Sequence, residues 1–83
     1  MKPPWFVYLL SCGDGTLYCG IALDVAARLE QHRAGKGARY TRGRGPLALV
    51  YSEACATHSL ALKRERAVKA LDRAKKLALI AAG

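Results

Sequence analysis

Arg28 and His32 stand four residues apart, Glu65 lies in a lysine- and arginine-rich stretch, and Tyr8 and Tyr18 sit near the middle of two apolar runs. Arginine can grip a phosphate in bidentate fashion, and histidine passes protons near neutral pH. A carboxylate bordering an apolar stripe, as Glu65 would on a helix, must be paired, hydrated or on a metal. Each residue also has a plain packing role open to it. A strand tyrosine can bury its ring and leave its hydroxyl in water. The Arg28 stem can cover the edge of a core, His32 can be a packed histidine, and Glu65 can pair with Lys69 at i+4. Residue type alone does not choose between these roles.

A second grouping is Gly35 to Gly45, GKGARYTRGRG, with four glycines, four basic residues (Lys36, Arg39, Arg42, Arg44), Tyr40 and no acid. Glycine lets a backbone come close to a phosphate, and an aromatic ring can stack on a base. A flexible basic loop is the simpler reading. The whole chain has 14 Lys and Arg against 6 acids, a formal net charge of +8, which favours a polyanionic partner. Seven further basic residues lie between Lys63 and Lys76 against two acids, extending the positive surface.

The elements that must position these residues can be read in order. Trp5 to Ser11 and Thr16 to Ile21 are β-rich runs separated by Cys12-Gly13-Asp14-Gly15, a hairpin pattern. A three- or five-residue loop sets Tyr8 opposite Tyr18; a four-residue loop sets it opposite Cys19 and the hydroxyls diverge unless a bulge intervenes. Gly20, inside the second strand, marks a bulge or a close approach. Asp24 is a good cap for a helix from Val25 to Ala34, with Gly35 and Gly37 as stops. On it Val25 and Leu29 share a face that His32 continues, with Arg28 one turn before His32. Leu47 to Glu53 predicts a third strand, joining the sheet at its far edge or between the other two. Thr57 caps a second helix through Leu71, with Leu60, Ala61, Val68 and Leu71 as its buried stripe. Arg64 falls near the centre of that stripe, where it needs a partner. Asp72 caps a third helix, Arg73 to Ala82, with Leu77 and Ile80 as its apolar face. The fold class expected is α+β: a small three-stranded, mostly antiparallel sheet flanked by helices, as one domain over residues 1–83.

The composition also narrows the alternatives. Charges interrupt every apolar run, so no membrane span is expected, and the N-terminus lacks a signal-peptide pattern. Cys12, Cys19 and Cys55 are odd in number and form no C-x-x-C pair, which speaks against a disulfide framework and for a reducing compartment, the cytoplasm. His32 and His58 do not complete a zinc site with them at any recognised spacing.

Taken together, Val7-Tyr8, Tyr18-Cys19-Gly20, Arg28, His32 and Glu65, in that order and on those elements, resemble the GIY-YIG nuclease superfamily from about Trp5 to Ile80. The segments ARYT and LVYSE and the Lys/Arg-rich C-terminus are similar to its small stand-alone UPF0213 (YhbQ-like) group. The first motif departs as Phe-Val-Tyr and the second as Tyr-Cys-Gly, each keeping its tyrosine. The resemblance implies a GIY-YIG endonuclease-like fold and a hydrolase of DNA phosphodiester bonds, with RNA also admitted as substrate. It implies catalytic roles for Tyr8, Tyr18, Arg28, His32 and Glu65, and a Mg²⁺ or Mn²⁺ ion held by Glu65 with waters completing its shell. Nucleic-acid contacts are expected from Lys36, Arg39, Tyr40, Arg42 and Arg44. The alternative is a nucleic-acid-binding module on the same scaffold with little or no catalysis. A weaker third reading is an adaptor whose basic face meets an acidic protein. Nothing in the sequence names a protein partner or a homodimer.

Overall fold

Three antiparallel strands, β1 (Trp5–Ser11), β2 (Leu17–Ala22) and β3 (Ala48–Cys55), form one sheet in the order β2-β1-β3. The computed structural model describes residues 2–83. The central strand is the one whose sequence stays apolar at consecutive positions: Val7, Tyr8, Leu9 and Leu10 are all buried. Period-two alternation sends these side chains to two different cores. Tyr8, Leu10 and Ala22 pack with Tyr18 and with Val25 and Leu29 of helix α1 (Val25–Arg33). Val7, Leu9 and Cys19 pack with Ala61 and Val68 of helix α2 (His58–Ala70). Leu79 and Ile80 of helix α3 (Arg73–Ala82) lie against that second core.

Local signals set the helix starts. Asp24, Thr57 and Asp72 each accept a backbone N–H three residues on, from Ala27, Leu60 and Lys75. Each cap satisfies one of the donors that a helix start leaves free. β3 joins the sheet at its far edge, beside β1. Between Leu9↔Tyr51 and Leu10↔Leu49 the register shifts, so Val50 has no opposite residue. Arg64, which sequence left without a partner, bonds Glu53 of β3 from Nε at 2.7 Å.

Two apolar expectations do not hold. Leu60 and Leu77 are 49% and 44% exposed. The sheet contact of α2 is narrow and centred on the fully buried Ala61 and Val68, leaving Leu60 outside it. In α3 the contact is made by Leu79 and Ile80, and Leu77 faces away from it.

Candidate active site

The hairpin register decides how the tyrosines meet. The loop has five residues, Cys12 to Thr16, and Tyr8 pairs with Gly20 and Tyr18 with Leu10, so neither pairing considered from sequence, Tyr8 with Tyr18 or with Cys19, is the one found. The cause is local. Asp14 Oδ1 accepts from both the N–H and the hydroxyl of Thr16, and the Cys12 N–H donates to the Thr16 carbonyl. Thr16 is thereby held in the turn, and β2 starts one residue later than expected. A shift of two residues keeps the face, so Tyr8 and Tyr18 are diagonal neighbours with ring centroids 6.4 Å apart. Gly20 leaves room for this. A Cβ there would lie 2.6 Å from Tyr8 Oη and 3.1 Å from Tyr18 Cε2.

His32 comes to the same face from the last turn of α1 and is 2% exposed. Its Nε2 is 2.8 Å from Tyr8 Oη, and its ring meets Tyr18 edge-on at 5.2 Å. Its Nδ1 is 2.9 Å from Thr41 Oγ1 and 3.3 Å from the Ala38 N–H. Thr41 ends a 3-10 turn, Arg39–Thr41, that folds the basic loop back over α1. Gly37 makes the close approach possible, since a Cβ there would fall 2.2 Å from Nδ1. Thr41 was not singled out from sequence. The available signal was a hydroxyl residue and a glycine amid cations, following a helix whose last turn holds a histidine.

Arg28 is half-buried on α1 and donates to Gln31 Oε1 at 2.8 Å. Its charge reaches Tyr8, Tyr18 and His32. Glu65 approaches from α2, on the opposite side of the sheet, beside the edge strand β2. Its side chain is 18% exposed and pairs with Lys69 at 3.5 Å, the i+4 pair that sequence allowed. The Glu65 charge is felt by Tyr18 and Cys19. Tyr8, Tyr18 and His32 therefore share one face with the Arg28 charge, while Glu65 lies on the helix of the other face and only its charge reaches Tyr18.

The basic loop divides in two. Tyr40 stacks on Tyr18 at 5.7 Å and carries the Arg44 guanidinium 4.4 Å from its centroid. Arg44 also bonds Asp14, across the mouth of the hairpin. These two residues build the wall of the site. Lys36, Arg39 and Arg42 are exposed and have no ion-pair partner among the described residues.

Burial, the nearby Tyr18 and the Cys19 thiol push the Tyr8 phenol up to about 12, although Arg28 opposes them. Tyr18 is raised by burial, with Lys69 and Arg28 pulling the other way. Burial, reinforced by Arg28, holds His32 below its ordinary value, so it is neutral at pH 7. These shifts predict a stability plateau. Below about pH 6.5 the unfolded histidine takes up a proton that folded His32 resists, so stability falls with pH. Above about pH 10 the unfolded tyrosine loses a proton that folded Tyr8 keeps, so stability falls again. Urea midpoints measured across pH should show both limbs, and His32→Gln should flatten the first limb before the carboxylates titrate.

Among the described residues, no three His, Cys, Asp or Glu side chains gather as a metal cage. The partly shielded Glu65 carboxylate is a single hard oxygen donor. That set fits Mg²⁺, which keeps several waters and takes oxygens from substrate phosphates.

The catalytic-domain model of GIY-YIG proteins matches residues 4–78. The chain belongs to the GIY-YIG family. Within it, the chain is 50% identical over 82 residues to a UPF0213 protein of Desulfotalea psychrophila, covering 98% of this chain and 74% of that one. It is 55% identical over 75 residues to a UPF0213 protein of Staphylococcus aureus, covering 90% of this chain and 92% of the relative. The solution NMR structure of a UPF0213 protein from Bacillus halodurans superposes with a TM-score of 0.61 at 44% identity, over 95% of this chain and 84% of that one. A solution NMR structure of an E. faecalis protein gives 0.62 at 38% identity, over 90% and 80%. The GIY-YIG fold and UPF0213 group expected from sequence are thus both found. No helix among the described residues is long and apolar enough to cross a membrane.

Proposed function

We propose that this GIY-YIG domain is a metal-dependent endonuclease that hydrolyses DNA phosphodiester bonds, on structured, damaged or single-stranded DNA, in repair or recombination within the cytoplasm. RNA is the second substrate to test. The observation that carries the reading is the buried Tyr8–His32 hydrogen bond at 2.8 Å, on the face shared with Tyr18 and the Arg28 charge. This is a prepared proton path beside a cationic group.

The energetics choose how the path works. A phenol at about 12 cannot ionise ahead of reaction, since its phenolate is about 10⁻⁵ of the population at pH 7. Neutral His32 removes that difficulty by standing ready at the phenolic proton. A water admitted to Tyr8 Oη with the bound substrate passes it a proton as Tyr8 passes its own to His32 Nε2, and the hydroxide formed attacks phosphorus. No free phenolate is needed. Proton transfer by a positioned group is worth about 10²–10⁴ in rate. Arg28 binds the non-bridging phosphate oxygens and meets their developing charge. Tyr18 borders both Tyr8 and the Glu65 charge and orients the attacked phosphate. Glu65 is the residue that would hold Mg²⁺ or Mn²⁺, which when bound stabilises charge on the phosphate and the leaving oxygen. Lys36, Arg39 and Arg42 take the phosphates outside the cleavage point.

The test is a labelled panel of duplex, single-stranded and branched DNA, with RNA, in Mg²⁺, Mn²⁺ or EDTA. Metal-dependent cutting of at least one substrate is expected. A Glu65→Ala preparation run alongside distinguishes the protein's own cutting from a contaminant. Binding that weakens steeply with salt through counterion release, but without cutting, would establish the binding-module reading instead. Absence of both would leave the basic face to a protein partner.

A further inference from the structure

The geometry points to Thr41 as a positioning residue: its hydroxyl oxygen accepts the Nδ1 proton of His32 and so keeps Nε2 bare and aimed at the Tyr8 hydroxyl. The inference rests on the proton path above for its catalytic meaning, but the tautomer itself can be read without any activity.

The argument is a count of protons. His32 and Thr41 are each 2% exposed and Tyr8 is 1% exposed, so in the protein without substrate water does not complete their bonds. Three hydrogen-bonding atoms surround the ring: Tyr8 Oη at Nε2, and Thr41 Oγ1 and the Ala38 N–H at Nδ1. The Thr41 hydroxyl has one proton, and the Ala38 carbonyl accepts it at 2.9 Å. With that proton placed, Thr41 Oγ1 faces Nδ1 as an acceptor, and Nδ1 must carry the ring proton. Nε2 then accepts from Tyr8.

The opposite tautomer costs more. If Nε2 carried the proton, it would donate to Tyr8 Oη, and the phenolic proton of a buried tyrosine would have no acceptor among the described residues. A buried donor left unsatisfied costs about 1–3 kcal/mol. That form would let Nδ1 accept the Ala38 N–H at 3.3 Å and the Thr41 hydroxyl turned from the Ala38 carbonyl. Each form thus strands one donor: the fully buried phenol here, the part-buried Ala38 N–H in the Nδ1–H form. The balance favours the Nδ1–H form. A neutral hydroxyl here does what a carboxylate does behind many catalytic histidines: it fixes the ring and its tautomer. Being neutral, it leaves the histidine a weaker base, so the ring holds no second proton before reaction and Nε2 stays bare.

Thr41→Val keeps the shape and removes the acceptor. The Ala38 carbonyl loses little, because the Thr41 backbone N–H also donates to it at 3.1 Å. The ring is then left with the Ala38 N–H as its only neighbour at Nδ1, and the Nε2–H form becomes the better one. The N–H so formed points at Tyr8 and blocks the proton path.

The experiment is ¹⁵N-detected NMR of the His32 ring nitrogens at neutral pH in the wild type, Thr41→Val and Thr41→Ser, with DNA cleavage and DNA affinity measured on the same samples. Wild type is expected to show a protonated Nδ1 and a bare Nε2, the reverse of the form that histidine prefers in water. Thr41→Val should exchange the two signals and slow cleavage by about 10–100-fold, the usual scale for such a supporting partner. Affinity for DNA should be unchanged, and Thr41→Ser should restore both the pattern and the rate. A wild-type ring protonated at Nε2 overturns the inference, whether or not Thr41→Val folds. So does a folded Thr41→Val with the wild-type pattern. If no substrate is cut, the nuclease reading falls while the spectrum still decides the role of Thr41.

Discussion

Glu65→Ala is expected to lower DNA cleavage to the level of the EDTA-treated wild type while leaving DNA binding intact or slightly tighter. Glu65 is an acid whose charge reaches Tyr18, and its partly shielded carboxylate is the proposed holder of a divalent ion. Losing one preorganised electrostatic group commonly costs about 10²–10³ in rate. Losing the ion as well should exceed that. Binding responds differently. The variant removes a negative charge from a basic surface and frees Lys69 from its ion pair, so phosphate attraction rises. Stability should hardly move, because an i,i+4 pair with a half-exposed lysine contributes about 0.3–0.5 kcal/mol. Cleavage against metal concentration, DNA affinity and urea denaturation on one preparation keep the three effects apart. Equal nicking by wild type and variant would sink the assignment of Glu65 and point to a contaminant.

The parts of this site that were readable from sequence are those set by local chemistry. Asp24, Thr57 and Asp72 announce their helices because a cap depends on residues only three positions away. The i,i+4 placement of Arg28 and His32 follows from helical geometry once Asp24 fixes the start. What stayed hidden depends on contacts across the chain. Arg64 made sense only after β3 brought Glu53 to it. That Tyr40 would stack on Tyr18 was not readable, because the 3-10 turn that folds the loop onto the hairpin makes a long-range contact; Tyr40 still keeps 41% of its surface exposed. The same fold buries Thr41 against His32, a contact nine residues apart that no periodicity encodes. Leu60 and Leu77 show the limit of a helical stripe, which gives an apolar sector but not the part of it that meets the sheet. The Tyr8–Tyr18 register turned on whether Thr16 belongs to the strand or the turn, and two bonds to Asp14 settled it.

That register is also the source of the second large effect. Gly20→Ala should damage stability and cleavage together, although the change is a single methyl on a residue that takes no part in chemistry. The new Cβ would lie 2.6 Å from Tyr8 Oη and 2.8 Å from Tyr8 Cζ, well inside contact distance. Tyr8 has little room to yield. It is 1% exposed, and its hydroxyl is held by His32, whose far side is held in turn by Thr41 and roofed by Gly37. Overpacking of this kind costs about 1–3 kcal/mol, and the least resisted movement is displacement of the Tyr8 ring away from β2. Such a shift stretches the Oη–Nε2 bond, and a misplacement near 1 Å can cost about 100-fold in rate. Unlike Glu65→Ala, this variant should therefore lower the urea midpoint. Metal dependence of the residual cutting should stay as in wild type, since Glu65 and Lys69 lie on α2. A Gly20→Ala protein as stable and as active as wild type would show that Tyr8 does not need the space above Gly20, and the close tyrosine–glycine packing would lose its part in the proton path.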